Sequence, residues 1–165
     1  VGEAVWNARL DSQLGTFHWD SEKNLSATIM MKPGVLIQMN VAFEILCALL
    51  PEREEYVTLY DETLELLGAL ACGDVDAYLT WEINLLRDLG YALDLSRCSG
   101  CGATDALNYL SPRTGRAVCD MCAAPYVDRL YKLPVNLDTT LRFLENICAQ
   151  QGVAVPSMRR MIKNV

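Results

Sequence analysis

After residue 33, apolar residues fall at helical spacing over most of the chain, and only near its start do they alternate as in a strand. Pro33-Gly34 opens the run Val35-Leu36-Ile37-Gln38-Met39-Asn40-Val41-Ala42-Phe43-Glu44-Ile45-Leu46-Cys47-Ala48-Leu49-Leu50. It is apolar nearly all round, which predicts a helix at the centre of the core. Pro51 ends it, and a second helix is expected over 52–71 with Leu59, Thr63, Leu66, Leu67 and Leu70 along one face. Gly73-Asp74 breaks the chain before a third helix over 75–89, which carries Tyr78, Leu79, Trp81, Ile83, Leu85, Leu86 and Leu89 and has Gly90 as its C-terminal cap. Residues 123–131 read as a short helix, and Asp138 as the N-cap of a helix reaching Gln151 with Leu141, Phe143, Leu144, Ile147 and Cys148. Residues 157–163 read as a short basic helix or a frayed end. Burial should concentrate on Leu36, Phe43, Leu46, Leu66, Leu79, Ile83, Leu86 and Phe143.

The first 24 residues differ. Glu3-Ala4-Val5-Trp6-Asn7-Ala8-Arg9-Leu10 and Thr16-Phe17-His18-Trp19-Asp20 read as two strands, separated by Gln13-Leu14-Gly15. Two strands alone are marginal in water and need a further surface to pack on. The chain opens on Val1 rather than methionine, which suggests the tail of a β domain whose beginning lies upstream.

Four cysteines in two pairs change the picture more than any periodicity. Cys98 with Cys101 and Cys119 with Cys122 give C-x2-C-x17-C-x2-C, a spacing suited to a four-cysteine zinc site. Two intervening residues let one tight turn aim both sulfurs at one point, and two such turns complete a tetrahedron. Zn²⁺ takes four thiolates at about 2.3 Å and then has no open position for water or substrate. Gly100 and Gly102 suit a turn needing positive φ in the first pair; Cys119-Asp120-Met121-Cys122 lacks glycine and is the weaker knuckle. Between the pairs, Ser111-Pro112-Arg113-Thr114-Gly115 reads as a hairpin turn, so the insert spans about 96–124. Ligands retained without metal, and redox or disulfide chemistry, are the other readings of this pattern. Cys47, Cys72 and Cys148 sit in apolar helical contexts as small buried hydrophobes. The odd cysteine total, no signal peptide and no long apolar run point to a soluble chain in a reducing cytoplasm, with no membrane role.

The 165 residues suffice for one sizeable core with a small appendage. A formal net charge of −7 argues against a chain that binds nucleic acid over its whole surface. Basic residues gather locally instead: Arg97, Arg113 and Arg116 on or beside the hairpin, Arg129 and Lys132 just beyond, and Arg142, Arg159, Arg160 and Lys163 toward the C-terminus. They read either as charge balance for a dianionic Zn(Cys)₄ centre and for helix dipoles, or as a strip that contacts phosphates. Motifs for catalysis are missing: there is no phosphate loop and no nucleophile elbow, and His18 is the sole histidine. The carboxylates Glu52, Glu54, Glu55, Asp61, Glu62 and Glu65 follow a solvated-helix pattern.

The run Leu89-Gly90-Tyr91-Ala92-Leu93-Asp94-Leu95-Ser96-Arg97-Cys98 resembles the segment leading into the zinc-finger-like element of the bacterial RecO family of recombination mediators. Leu110-Ser111-Pro112-Arg113-Thr114-Gly115-Arg116-Ala117-Val118, Ala124-Pro125-Tyr126 and Leu133-Pro134 are similar to it too, and residues 8–17 are similar to the last strands of the family's N-terminal OB fold. The resemblance implies a mainly α architecture: a helical bundle domain over 25–165 with an inserted four-cysteine zinc hairpin, preceded at 1–24 by the last strands of a truncated OB-fold β domain. It implies a non-catalytic DNA repair mediator that binds single- and double-stranded DNA and anneals strands. The implied protein partners are RecR, the single-strand DNA-binding protein and, indirectly, the RecA filament, in a nucleoid-associated, cytoplasmic setting. Since most of the OB fold would precede Val1, weak DNA binding is expected of this chain alone. A zinc-stapled helical scaffold for protein–protein interaction is the alternative.

Overall fold

The structure, a computed structural model, describes residues 2–10 and 14–162; Lys163 lies outside them. Strands β1 (Gly2–Asn7) and β2 (Thr16–Ser21) pair antiparallel with Val5 opposite His18 and Trp6 opposite Phe17. Two strands cannot cover both faces, so Val5, Trp6, Phe17 and Trp19 remain exposed, Trp6 by 54%. The helices follow: α1 (Ser26–Ile29), α2 (Pro33–Leu49), α3 (Val57–Cys72) and α4 (Ala77–Asp88). A small antiparallel sheet then runs in the order β4 (Ala117–Val118), β3 (Tyr109–Leu110), β5 (Tyr131–Lys132). Helix α5 (Asp120–Ala123) and a 3₁₀ helix (Ala124–Arg129) connect β4 to β5, and α6 (Leu137–Gln151) and a 3₁₀ helix (Ser157–Met161) end the described chain.

Helix termini follow local chemistry. Gly73, Gly90 and Gly152 adopt φ of 94°, 88° and 71°, the left-handed conformation that closes a helix by turning its next amides back on the last carbonyls. The N-cap of α6 is Asn136 rather than Asp138: its Oδ1 accepts from the Asp138 and Thr139 amides at 3.1 and 3.0 Å. Asp138 sits two residues further on, in the first turn, where a carboxylate complements the positive end of the helix. Helix α3 begins at Val57, five residues later than its pattern predicts, because Pro51 and the positive φ of Arg53 hold 51–56 in an irregular turn.

Burial on α2 is one-sided. Val35, Val41, Ala42, Ile45 and Leu49 are buried at helical spacing, while Leu36 and Leu46 are half-buried and Phe43 is 43% exposed. The uniformly apolar run therefore does not place α2 at the centre: its second face looks into an open groove of about 630 Å³ lined by Phe43, Leu46, Leu50, Leu67 and Trp19. The centre is α4, which packs on both α3 and α6. Tyr78, Trp81, Leu85 and Leu86 are buried there, with Leu66 of α3 and Phe143 of α6; Leu79 and Ile83 are only half-buried. Cys148 is buried as expected, but Cys47 and Cys72 are exposed, since each falls on a solvent side of its helix.

Two charges lie at the bottom of this core. Glu82 and Arg159 are both fully buried. Arg159 donates through Nε to Oε1 and through Nη2 to Oε2 of Glu82 at 2.5 and 2.6 Å, and through Nη2 to the Leu137 carbonyl at 2.7 Å. Tyr78 Oη and Thr140 Oγ1 also donate to the carboxylate. Burial alone would lower the Arg159 pKa, but the hydrogen bonds and charge of Glu82 outweigh it, so the guanidinium is held firmly charged. Removing one partner of such a pair strands the other charge. Glu82→Gln should therefore cost about 3–5 kcal/mol in urea unfolding. Leu86→Ala should cost about 2–5 kcal/mol, against less than about 1 kcal/mol for Phe43→Ala at the open groove.

Candidate metal centre

The two cysteine pairs reach one point by different means. Cys98 opens a tight turn in which its carbonyl accepts from the Gly102 amide at 2.9 Å and its amide donates to the Ala103 carbonyl at 2.7 Å. Gly102 takes a φ of 79°, as a turn glycine should. Gly100 serves by absence of bulk: a Cβ there would stand 3.0 Å from the Cys122 sulfur and 3.8 Å from that of Cys98. The second pair needs no glycine because Cys119 heads the four-residue helix α5, whose single turn carries Cys122 back toward it. Backbone bonds tie the knuckles together, Ser99 N to Ala117 O at 2.8 Å and Asp120 N to Ala106 O at 3.1 Å. Asn108 Nδ2 adds bonds of 3.0 and 2.9 Å to the Asp120 carboxylate.

As a result, the Sγ atoms of Cys98, Cys101, Cys119 and Cys122 all lie within 4.8 Å of one another. Cys101 and Cys119 are 3.6 Å apart, far beyond a disulfide bond and near the roughly 3.8 Å edge of a tetrahedron with 2.3 Å metal–sulfur bonds. Cys98 and Cys119 face inward and Cys101 is exposed. Amides of Cys119 and Gly100 each donate to the Cys98 sulfur at 3.3 Å. The Cys119 amide first, then those of Cys101 and Gly100, lower the Cys98 pKa to about 6. Contacts with Cys101, then Cys119 and Cys98, push the Cys122 thiol up to about 12. Four sulfurs this close cannot all carry charge without a compensating cation, and a divalent ion at their centre would supply it. The donor set fits Zn²⁺.

The loop before Cys98 is fixed by Asp94, which accepts from Ser96 Oγ at 2.6 Å and from Arg116 at 3.3 Å. The Ser96 hydroxyl and amide, followed by Arg116, hold its carboxyl below the usual range. Arg116 is therefore committed in part to the loop. Arg160 pairs with Glu145 at 3.1 Å, and Arg142 lies over the Tyr131 ring at 5.1 Å. Arg159 is corrected outright as a candidate contact: it is fully buried against Glu82 and has no surface to offer a phosphate. Arg97, Arg113, Arg129 and Lys132 are exposed, and none makes an ion pair among the described residues. Pairing of β5 with β3 sets Lys132 opposite Tyr109, and Lys132 shares a cleft of about 300 Å³ with Tyr131, Asn136 and Arg142. Sequence reading missed β5 and this cleft, because a two-residue strand has no period to detect. Among the described residues, no helix is long and apolar enough to cross a membrane.

Comparison with known proteins agrees with this architecture. Residues 36–156 match the family model described as Recombination protein O C terminal. A DNA repair protein RecO from Ruegeria sp. (strain TM1040) is 40% identical over 134 residues, covering 80% of this chain and 56% of that protein. One from Jannaschia sp. (strain CCS1) is 38% identical over 154 residues, 93% of this chain and 62% of its own length, and one from Rhodospirillum centenum is 42% identical over 134 residues, 79% and 54%. The chain thus spans a little over half the length of the curated relatives it matches. No solved structure matches it. With a match running through the helices and both cysteine pairs, the chain belongs to the recombination protein O (RecO) family, through the C-terminal domain of that family.

Proposed function

We propose that this chain is the helical, zinc-binding part of a DNA repair mediator of the RecO type, acting by binding DNA and partner proteins rather than by making or breaking bonds. The observation that carries the reading is the set of exposed cations Arg97, Arg113, Arg129 and Lys132, left without ion pairs on or beside a four-cysteine hairpin in a chain that is acidic overall. Zn²⁺ held by Cys98, Cys101, Cys119 and Cys122 supplies fixed geometry and no open coordination position. The cations beside it track phosphates, so binding is sequence-indifferent and salt-sensitive. Residues 1–24 are the closing strands of an OB fold whose other strands cover the exposed faces of Trp6, Phe17 and Trp19. Single- and double-stranded DNA, RecR, the single-strand DNA-binding protein and, through them, the RecA filament are the partners that the family relationship supports, in the bacterial cytoplasm at the nucleoid. The groove beside Phe43 and the net charge of −7 favour a second reading, a zinc-stapled scaffold that binds protein alone.

Elemental analysis should find one zinc per chain. Cys98→Ser should lose it and unfold the hairpin while the helical circular dichroism persists, since a site of this kind contributes on the order of 10 kcal/mol locally. Purified protein without metal would remove the zinc assignment. Arg129→Ala should weaken DNA binding and reduce the slope of log affinity against log salt by about one, with zinc content unchanged. Partner binding that is insensitive to salt, with no DNA binding at all, would put the scaffold reading first.

A further inference from the structure

Outside the metal centre, a cleft of about 430 Å³ lies between the turn of the β3–β4 hairpin and α6. It is lined by Tyr91, Pro112 and Arg113, and by Asn146, Ala149 and Gln150 of α6. The Gly90 cap throws Tyr91 out of α4, with its amide donating to the Leu86 carbonyl at 2.7 Å and its hydroxyl to Gln150 Oε1 at 2.5 Å. The tyrosine is thus tied at both ends, packed partly against the main core and partly lining the cleft. Arg113 is exposed and makes no ion pair among the described residues, and no carboxylate lines the cleft. The Asn146 amide and the free NH₂ of Gln150 add hydrogen-bonding edges.

We propose that this cleft receives one unpaired nucleobase of a DNA strand, with Tyr91 as the stacking face and Arg113 on the adjoining phosphate. The proposal rests on the reading of this chain as DNA-binding and adds to it a preference for single strands. An aromatic face beside a planar cation accepts any base, because every base presents a π-face, and stacking supplies affinity that does not depend on salt. A duplex keeps its bases paired and stacked and can offer this cleft only its phosphates. Tyr131, half-buried like Tyr91, lacks this setting because Arg142 and Phe143 cover its ring.

The test uses the intact chain with oligo-dT carrying 5-iodouracil, photo-crosslinked, digested with trypsin and read by mass spectrometry. The adduct is expected on the peptide of residues 88–97, whose sole aromatic residue is Tyr91. Tyr91→Ala should weaken oligo-dT binding about tenfold with an unchanged salt slope, leave duplex binding as in the parent, and contrast with Tyr91→Phe, which keeps the stack. Arg113→Ala should instead lower the slope by about one on both substrates. Adducts confined to other peptides, or oligo-dT binding by Tyr91→Ala equal to the parent, would overturn the cleft while leaving DNA binding in place. A parent that binds neither oligo-dT nor duplex would remove both.

Discussion

A carboxylate and a guanidinium with no exposed surface, Glu82 and Arg159, set the arrangement that the rest of the molecule builds on. Each would be costly to bury alone, so the folded state is one in which they meet, with Tyr78, Thr140 and the Leu137 carbonyl adding hydrogen bonds and Arg159 Nη1 left without a partner among the described residues. The contact joins α4, the first turn of α6 and the last 3₁₀ helix, three elements distant in sequence. Apolar contacts tolerate slippage between helices more readily than a directional bidentate ion pair, which favours one register. That register places α6 alongside the hairpin, and so forms the cleft at Tyr91 and the one at Lys132.

The cysteine hairpin follows a different physical rule. Its own core is small: Cys98, Val118, Cys119 and Ala123 form a cluster of their own, while Leu110 of β3 is buried in the main core. Strands of two residues and a helix of four cannot stand on hydrophobic burial alone. Cross-linking backbone bonds and four converging sulfurs hold the shape, and the donor geometry suits a metal that would do the same more firmly. Such a module can be varied at its surface without disturbing its interior. This is a suitable setting for the exposed cations Arg97, Arg113 and Arg129.

The chain is acidic overall, and cations that make no ion pair among the described residues, Arg97, Arg113, Arg129 and Lys132, lie on or beside the four-cysteine cluster. The lone histidine, His18, lies on an exposed strand distant in sequence from the four sulfurs. Acidic helices would repel a polyanion except where positive charge is local and unpaired. Two surfaces carry the remaining chemistry: the cation-bearing hairpin with its neighbouring clefts, and the apolar groove between the first hairpin and α2–α3.

Much of this was legible in the residues themselves. Helix periods, the glycine stops at 73, 90 and 152, and the C-x2-C pairs are local signals, and local signals survive into the fold because they act over one or two turns of chain. The apolar run of α2 was misleading for the same reason: hydrophobicity says that a helix can be buried on all sides, whereas the number of neighbours decides how many sides are, and Phe43 stays 43% exposed at an open groove. Charge was least legible. Nine basic residues looked alike in sequence, yet tertiary structure sealed Arg159 in the core, paired Arg116 with Asp94 and Arg160 with Glu145, and left Arg97, Arg113, Arg129 and Lys132 exposed. Sequence alone determined the long helices and the pairing of the four cysteines, because backbone turns and C-x2-C spacing are short-range; which charges face solvent was decided only by packing, because a long side chain's partner is set by elements that meet in space and not along the chain.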